Sequence, residues 1–195
     1  LNNLFLIDPD WTRRYLVDPM ANIDTPEAKY LWTAYGYSPR ISPNLLSAIK
    51  TPFFKILKRY DDKARTDNNL VPMFMSVCLD LPKELTSDEI HNVVQGLPEG
   101  ALVQIAHVFD RRLGVEKEER AAAWREKAFP WLKAYWPNLA EKNSERTSEA
   151  LVRMILQTGE AFPDAVDWAL PHLKPIGGRV YYAIKKSEHQ ISHTD

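Results

Sequence analysis

Glycine is what this chain lacks. It carries 7 Gly against 14 Pro in 195 residues, about half the usual glycine share of ~7%. Tight hairpin turns and phosphate-cradling loops both rely on residues that tolerate positive φ. Their scarcity counts against all-β and dinucleotide-binding folds and points to helices. The length fits one domain or two small ones, and a hydrophobic fraction of 45% fits a globular chain. Lys+Arg number 25 and Asp+Glu 26, for a formal net charge of −1. The single cysteine, Cys78, excludes an internal disulfide and a multi-cysteine metal knuckle. No apolar run approaches the ~18 residues of a membrane span. The chain opens at Leu1 without a signal peptide. The expectation is a cytoplasmic fragment of a longer protein.

Apolar residues recur with a period near 3.6, as on amphipathic helices. Ser42-Pro43 offers a capping hydroxyl and a first-turn proline ahead of Leu45, Leu46, Ile49, Phe53, Ile56, Leu57 and Tyr60. Pro52 should bend that helix or split it. Thr25-Pro26-Glu27 is a second such start, and Thr86-Ser87-Asp88-Glu89 reads as a capping box. Leu70 to Leu81 is almost wholly apolar and belongs in the core. Further helices are expected from Pro98-Glu99 to Gly114, from Glu116 to Trp136, from Ser144 to Thr158, from Phe162 to Leu173 and from Val180 to Lys186.

A weak repeat runs through the second half. Ala101–Ile105 resembles Ala150–Met154, and Phe129–Lys133 resembles Leu170–Lys174. A period of ~40–47 residues is that of HEAT or armadillo arrays. The predicted fold is therefore all-α. It is an antiparallel helical array of roughly eight to ten helices, with a HEAT-like α-solenoid as its most regular form. It forms a single helical domain over 1–195, with sub-units at 1–97 and 98–195.

Few residue sets carry chemistry. The stretch Lys50 to Arg65 holds six positive and two negative charges. Lys55, Lys58, Arg59 and Lys63 fall near one helical face with aromatic residues interleaved, which is the look of a nucleic-acid or partner contact. A solvated basic face gives the same pattern. Six tryptophans stand out, with Trp124, Trp131 and Tyr135 spaced for one helix face. Such a stripe suits core packing between repeats or a partner's hot spot. Trp131 and Trp168 are expected to be core residues at matching places in adjacent helix pairs. His189 and His193 have metal-ligand spacing but no third ligand, and His107 lies among apolar neighbours as a partly buried histidine would. Cys78 reads as a small core hydrophobe. The neighbouring acids Asp8/Asp10, Asp61/Asp62 and Asp88/Glu89 read as caps and helix-dipole partners. GxSxG, P-loop and GxGxxG motifs are all missing, so neither a catalytic set nor a cofactor or metal site is expected.

Three stretches resemble a known region when taken together. They are Tyr30-Leu31-Trp32 through Pro43, Phe129-Pro130-Trp131-Leu132 through Pro137, and Gly159 to Pro163 with Leu170-Pro171 and Leu173-Lys174-Pro175. Their order and spacing are similar to a C-terminal helical region of large uncharacterised bacterial multidomain proteins. Several of those carry an N-terminal sirtuin-like or nucleotide-hydrolysing domain of the phage-defence type. The resemblance implies an enzymatic domain upstream and brings no catalytic residue with it. The expected role is a non-enzymatic scaffold, sensor or protein-interaction module whose partner is another protein or the upstream effector domain. The alternative is a nucleic-acid-binding helical-repeat domain using the Lys50–Arg65 face. A third reading, a helical-repeat base glycosylase, needs a carboxylate beside an aromatic cleft.

Overall fold

The computed structural model describes residues 1–37, 40–60, 69–114, 119–137 and 144–174. All regular structure among them is helical, with no strand among the described residues. The expected all-α class is therefore correct. The helices are α1 (Asn2–Ile7), α2 (Pro9–Thr12), α3 (Asp18–Ala21), α4 (Pro26–Tyr37), α5 (Pro43–Lys58), α6 (Leu70–Asp80), α7 (Ser87–Gln95), α8 (Glu99–Gly114), α9 (Arg120–Ala123), α10 (Phe129–Tyr135), α11 (Glu145–Ile155) and α12 (Phe162–Ala169). The chain divides into two compact units, Leu1–Ala101 and Leu102–Asp195.

Local chemistry sets the helix starts. Ser42 accepts from the Leu45 amide with Pro43 in the first turn. Thr25 Oγ1 accepts from the Ala28 amide at 3.2 Å. Thr86 and Glu89 form a full reciprocal capping box, and Ser144 Oγ accepts from the Thr147 amide at 3.1 Å. Gly159 is the only described residue with positive φ, at 60°. It turns the chain after α11, where a left-handed conformation is needed.

In the first unit, Trp32 of α4 stacks on Phe53 of α5 with centroids 6.0 Å apart. Phe54 of α5 meets Phe74 of α6 edge-on. Leu45, Ile49, Phe53 and Leu57 of α5 are fully buried, as are Leu70, Phe74, Met75 and Val77 of α6. Cys78 is buried with them. Pro52 does not split α5, which runs unbroken from Pro43 to Lys58. The proline removes one backbone hydrogen bond, but its flanking residues Ile49 and Phe53 are locked in the core. Packing holds the helix through the gap.

In the second unit, Phe109 of α8 packs on Trp131 of α10 at 5.6 Å. Trp168 of α12 meets Trp124 and Trp136 edge-on. Ser148 Oγ accepts from the Lys174 amide at 2.9 Å, tying the segment after α12 to α11. Trp131 is a core residue, 6% exposed. Trp168 corrects the expectation: it is half-buried and also lies against His172. The repeat fails at the same place. Phe129–Tyr135 is an α-helix, whereas Leu170–His172 is a single 3-10 turn.

Two π-helical turns interrupt the helices, at Arg13–Val17 and Trp124–Ala128. Each is followed, one residue on, by a proline: Pro19 and Pro130. A proline inside a helix cannot donate to the carbonyl four residues back, and its ring crowds that carbonyl. Those carbonyls belong to Tyr15 and Glu126, both inside the widened turns. The Asp18 amide reaches Arg13 O and the Phe129 amide reaches Trp124 O, a five-residue step that keeps the helix going. This step also takes Trp124 and Trp131 out of common register. Trp124 packs on Phe129 and Trp168, and Trp131 on Phe109 and Tyr135.

Candidate interaction surface

The basic face expected at Lys55, Lys58, Arg59 and Lys63 is only partly a free surface. Lys55 and Lys58 are exposed in the last turns of α5. Arg59 forms an ion pair with Asp24, which cancels its charge locally. Lys58 runs its aliphatic stem over Gly96: a Cβ on that glycine would come within 2.8 Å of Lys58 Cε. Lys50, at the start of the basic stretch, donates to both carboxylate oxygens of Glu89 and to the Glu84 carbonyl. Lys63 lies outside the described residues, as do Asp61, Asp62, Arg65, the Val180–Lys186 stretch and the histidines His189 and His193.

Other polar groups gather in two places. A cleft of about 400 Å³ in the first unit is lined by Ile41, Pro72, Met73 and Leu81, with Arg40, Ser76 and Asp80 on its walls. In the second unit His107 and Asp110, both half-buried, stand one turn apart on α8. Burial pushes the His107 imidazole below its ordinary value, and the Arg153 guanidinium adds to this. Burial raises the Asp110 carboxyl, against the pull of Arg153. No cluster of three or more metal-ligating side chains exists among the described residues.

The largest departure from a solvated surface is at the N-terminal corner, for which the sequence offered no expectation beyond the Asp8/Asp10 caps. Leu4, Leu6 and Ile7 of α1 are 45%, 60% and 80% exposed. Trp11 is 47% exposed and Tyr15 53%. Their rings lie 5.2 Å apart as one aromatic ledge. Asp8 ends α1 with non-helical backbone and caps α2 by accepting from the Trp11 amide at 3.0 Å. From Pro9 the helix continues through the π-turn to Ala21. Its inner side buries Thr12, Val17 and Met20. The five-residue step from Thr12 to Val17 follows from the π-turn and leaves Trp11 and Tyr15 together outside. Ser42 N donates to Asn2 Oδ1 at 3.0 Å, anchoring α1 to the start of α5.

A periodic signal for this ledge existed: Trp11 and Tyr15 stand four apart, the spacing of one helix face, and Ile7 precedes Trp11 by the same step across the break at Asp8. Asp8-Pro9 and Asp18-Pro19 obscured it, since each pair reads as a helix boundary. The first does end a helix, while the second lies inside one.

No family model, curated protein or solved structure matches the chain. No described helix is long and apolar enough to cross a membrane.

Proposed function

We propose that this chain is a non-enzymatic helical interaction module, whose contact surface is the apolar corner of Leu4, Leu6, Ile7, Trp11 and Tyr15. One observation carries this reading. Five large apolar or aromatic side chains stand at least 45% exposed within fifteen residues. Scattered surface hydrophobes are ordinary, whereas clustered ones mark contact sites. Aromatic side chains are also the residues on which binding energy concentrates. The partner is a protein: either a separate chain or, following the resemblance to bacterial defence-type multidomain proteins, an effector domain of the same polypeptide. The reading does not require a regular HEAT-like stack. The nucleic-acid alternative draws less support, because Arg59 and Lys50 spend their charges on Asp24 and Glu89.

The test is site-specific photocrosslinking in the native cell, with benzoylphenylalanine in place of Trp11 and, as control, in place of the exposed Asn92 of α7. A discrete protein adduct from position 11 and none from position 92 is expected. No adduct from position 11, or the same adducts from both, refutes the reading.

A further inference from the structure

The cleft of about 400 Å³ in the first unit is lined by two segments, and both are anchored. One is α6, where Pro72, Ser76 and Asp80 stand at steps of four and so form one row along the helix. Met73 lies beside that row, and Leu81 follows its last turn. Asn69, at the head of α6, donates from its side-chain amide to the Gly36 carbonyl at 2.6 Å. The other segment is Arg40-Ile41, in the connection from α4 to α5. It is pinned on both sides of Ile41. The Tyr35 hydroxyl donates to the Arg40 carbonyl at 2.7 Å, and the Ser42 amide donates to Asn2 Oδ1 at 3.0 Å. The cleft is therefore preformed, so binding there demands little ordering of the protein. Its volume falls within the ~300–1,000 Å³ of small-molecule sites.

We infer that this cleft binds a small monocarboxylate with a hydrocarbon body, its carboxylate on Arg40 and its apolar part over Met73. Charge and polarity select this class. Most of the lining is apolar: Met73 is 3% exposed, and Ile41, Pro72 and Leu81 are half-buried, so a hydrocarbon body gains by covering them. Arg40 is the lining's one cation, and it is exposed. Among the described residues its side chain has neither an ion pair nor a hydrogen bond, although Asp80 lines the same cleft. A guanidinium presents a planar fork that fits the two oxygens of a carboxylate. The Asp80 carboxylate repels a second negative charge, which disfavours dicarboxylates and phosphates. None of the five apolar residues of the N-terminal corner lines the cleft, so the inference is independent of the contact-surface reading.

The probe is octanoate, titrated into the full chain with isotope-labelled methionine methyl groups and followed by NMR. Its ~10 non-hydrogen atoms give an expected Kd on the order of 0.1–1 mM. Of the chain's four methionines, Met73 alone lines the cleft. Its methyl signal should move along a saturating curve up to about 10 mM octanoate, while that of Met154, in the second unit, stays in place. Arg40→Gln should weaken binding at least ~10-fold through loss of the charge-assisted bonds. Arg40→Lys keeps the charge without the fork and should fall between the two. Octanol and octylamine, with the same chain and no carboxylate, should also bind at least ~10-fold more weakly, and octanedioate more weakly than octanoate. Ser76→Leu fills the cleft from α6 and should abolish the Met73 shift, with circular dichroism checking that the helices persist. Arg40 sits on an exposed connection, so Arg40→Gln decides the matter even where Ser76→Leu fails to fold. A Met73 methyl that does not move overturns the inference. So does a shift that Arg40→Gln leaves unchanged, or one that octanol, octylamine or octanedioate reproduces at equal concentration. Acetyl-Leu-Leu with a free carboxyl terminus offers the same head group on a peptide, and binding tighter than that of octanoate would overturn the small-molecule assignment in favour of a protein's C-terminus.

Discussion

The indole N–H of Trp32 donates to the backbone carbonyl of Met20 at 3.0 Å, joining the end of α3 to the middle of α4. The ring itself is 2% exposed and stacks on Phe53. This one side chain therefore holds three helices of the first unit and supports the helix that carries Trp11 and Tyr15. Trp32→Phe keeps most of the packing and strands the Met20 carbonyl, which should cost about 1–3 kcal/mol. Trp32→Ala adds a cavity and should cost about 3–5 kcal/mol. Denaturant melts of the two variants check the ordering, and equal losses would mean that the hydrogen bond contributes nothing.

A second linchpin is the start of α7. Glu89 accepts from the Thr86 amide at 2.8 Å and from the Lys50 ammonium at 2.9 Å, and Thr86 Oγ1 accepts in turn from the Glu89 amide. The Thr86 backbone bond first, then the bond from Lys50, hold the Glu89 carboxyl below its ordinary value. The sign follows from linkage. A carboxylate depressed in the folded state contributes stability above its unfolded pKa of ~4.3, and that stability is lost as pH falls through the folded value. Thr86→Ala should cost roughly 1 kcal/mol at neutral pH. Glu89→Gln should flatten the stability profile below pH ~4.5, as measured by urea midpoints from pH 6 to pH 3.

Capping and periodicity made much of this fold legible. Ser42-Pro43, Thr25-Pro26, Thr86 to Glu89 and Ser144 each open a helix as local chemistry predicts. Proline inside a helix was the harder signal, because one residue type had three outcomes. Pro52 is carried through by packing, Pro19 and Pro130 sit after π-turns, and Pro9 begins a new helix behind the Asp8 cap. Which outcome holds depends on the burial of neighbours, and burial is a tertiary property. The contact ledge was hidden for the same reason: Ile7, Trp11 and Tyr15 have core spacing, and only the position of Thr12, Val17 and Met20 beneath them shows which side is covered.

The cluster Lys55, Lys58 and Arg59 separates the interaction reading from the nucleic-acid one. Exposed ion pairs are worth about 0–1 kcal/mol, so reversing all three to Glu should change stability little, with most of the change coming from the Arg59–Asp24 pair. A gel-shift titration at low salt should show no duplex or single-stranded DNA binding by the unaltered chain, whose net charge of −1 supplies no long-range attraction. Micromolar binding that falls with salt by about 0.7–0.9 in log–log slope per contact, and is lost on triple reversal, would promote the nucleic-acid reading instead.

Among the described residues, Gly159 is the one position where the backbone demands glycine, with φ at 60°. A Cβ there would have room, its nearest neighbour being Arg120 Cβ at 3.5 Å. The cost of Gly159→Ala is therefore conformational, on the order of 1–2 kcal/mol for a left-handed alanine. Gly159→Asn should cost less, since asparagine tolerates that region. Thermal melts that rank alanine and asparagine the other way would show that space around Arg120 is the limiting factor.

The second unit should lose stability on mild acidification, and His107 is the residue to watch. Its imidazole is half-buried on α8, and burial, then the Arg153 guanidinium, lower its pKa. His172, packed against Trp168, is lowered by burial. In the unfolded chain both bind a proton near pH ~6.5, but in the folded chain only at lower pH. Between those values the unfolded chain holds more protons, so acid favours unfolding. The stability these neutral histidines allow is complete above pH ~6.5 and declines as pH falls through it. Asp110 has the opposite sign, because burial raises its carboxyl, and works against the histidines, which the His107 variant below separates. Denaturant midpoints at pH 7.5, 6.5 and 5.5 should therefore drop with acid. His107→Gln keeps a polar side chain of similar reach and removes the titration, so its slope should be shallower. Arg153→Met should also flatten it, by letting the folded imidazole hold its proton at a more ordinary pH. A slope unchanged in both variants would place the acid sensitivity on other groups.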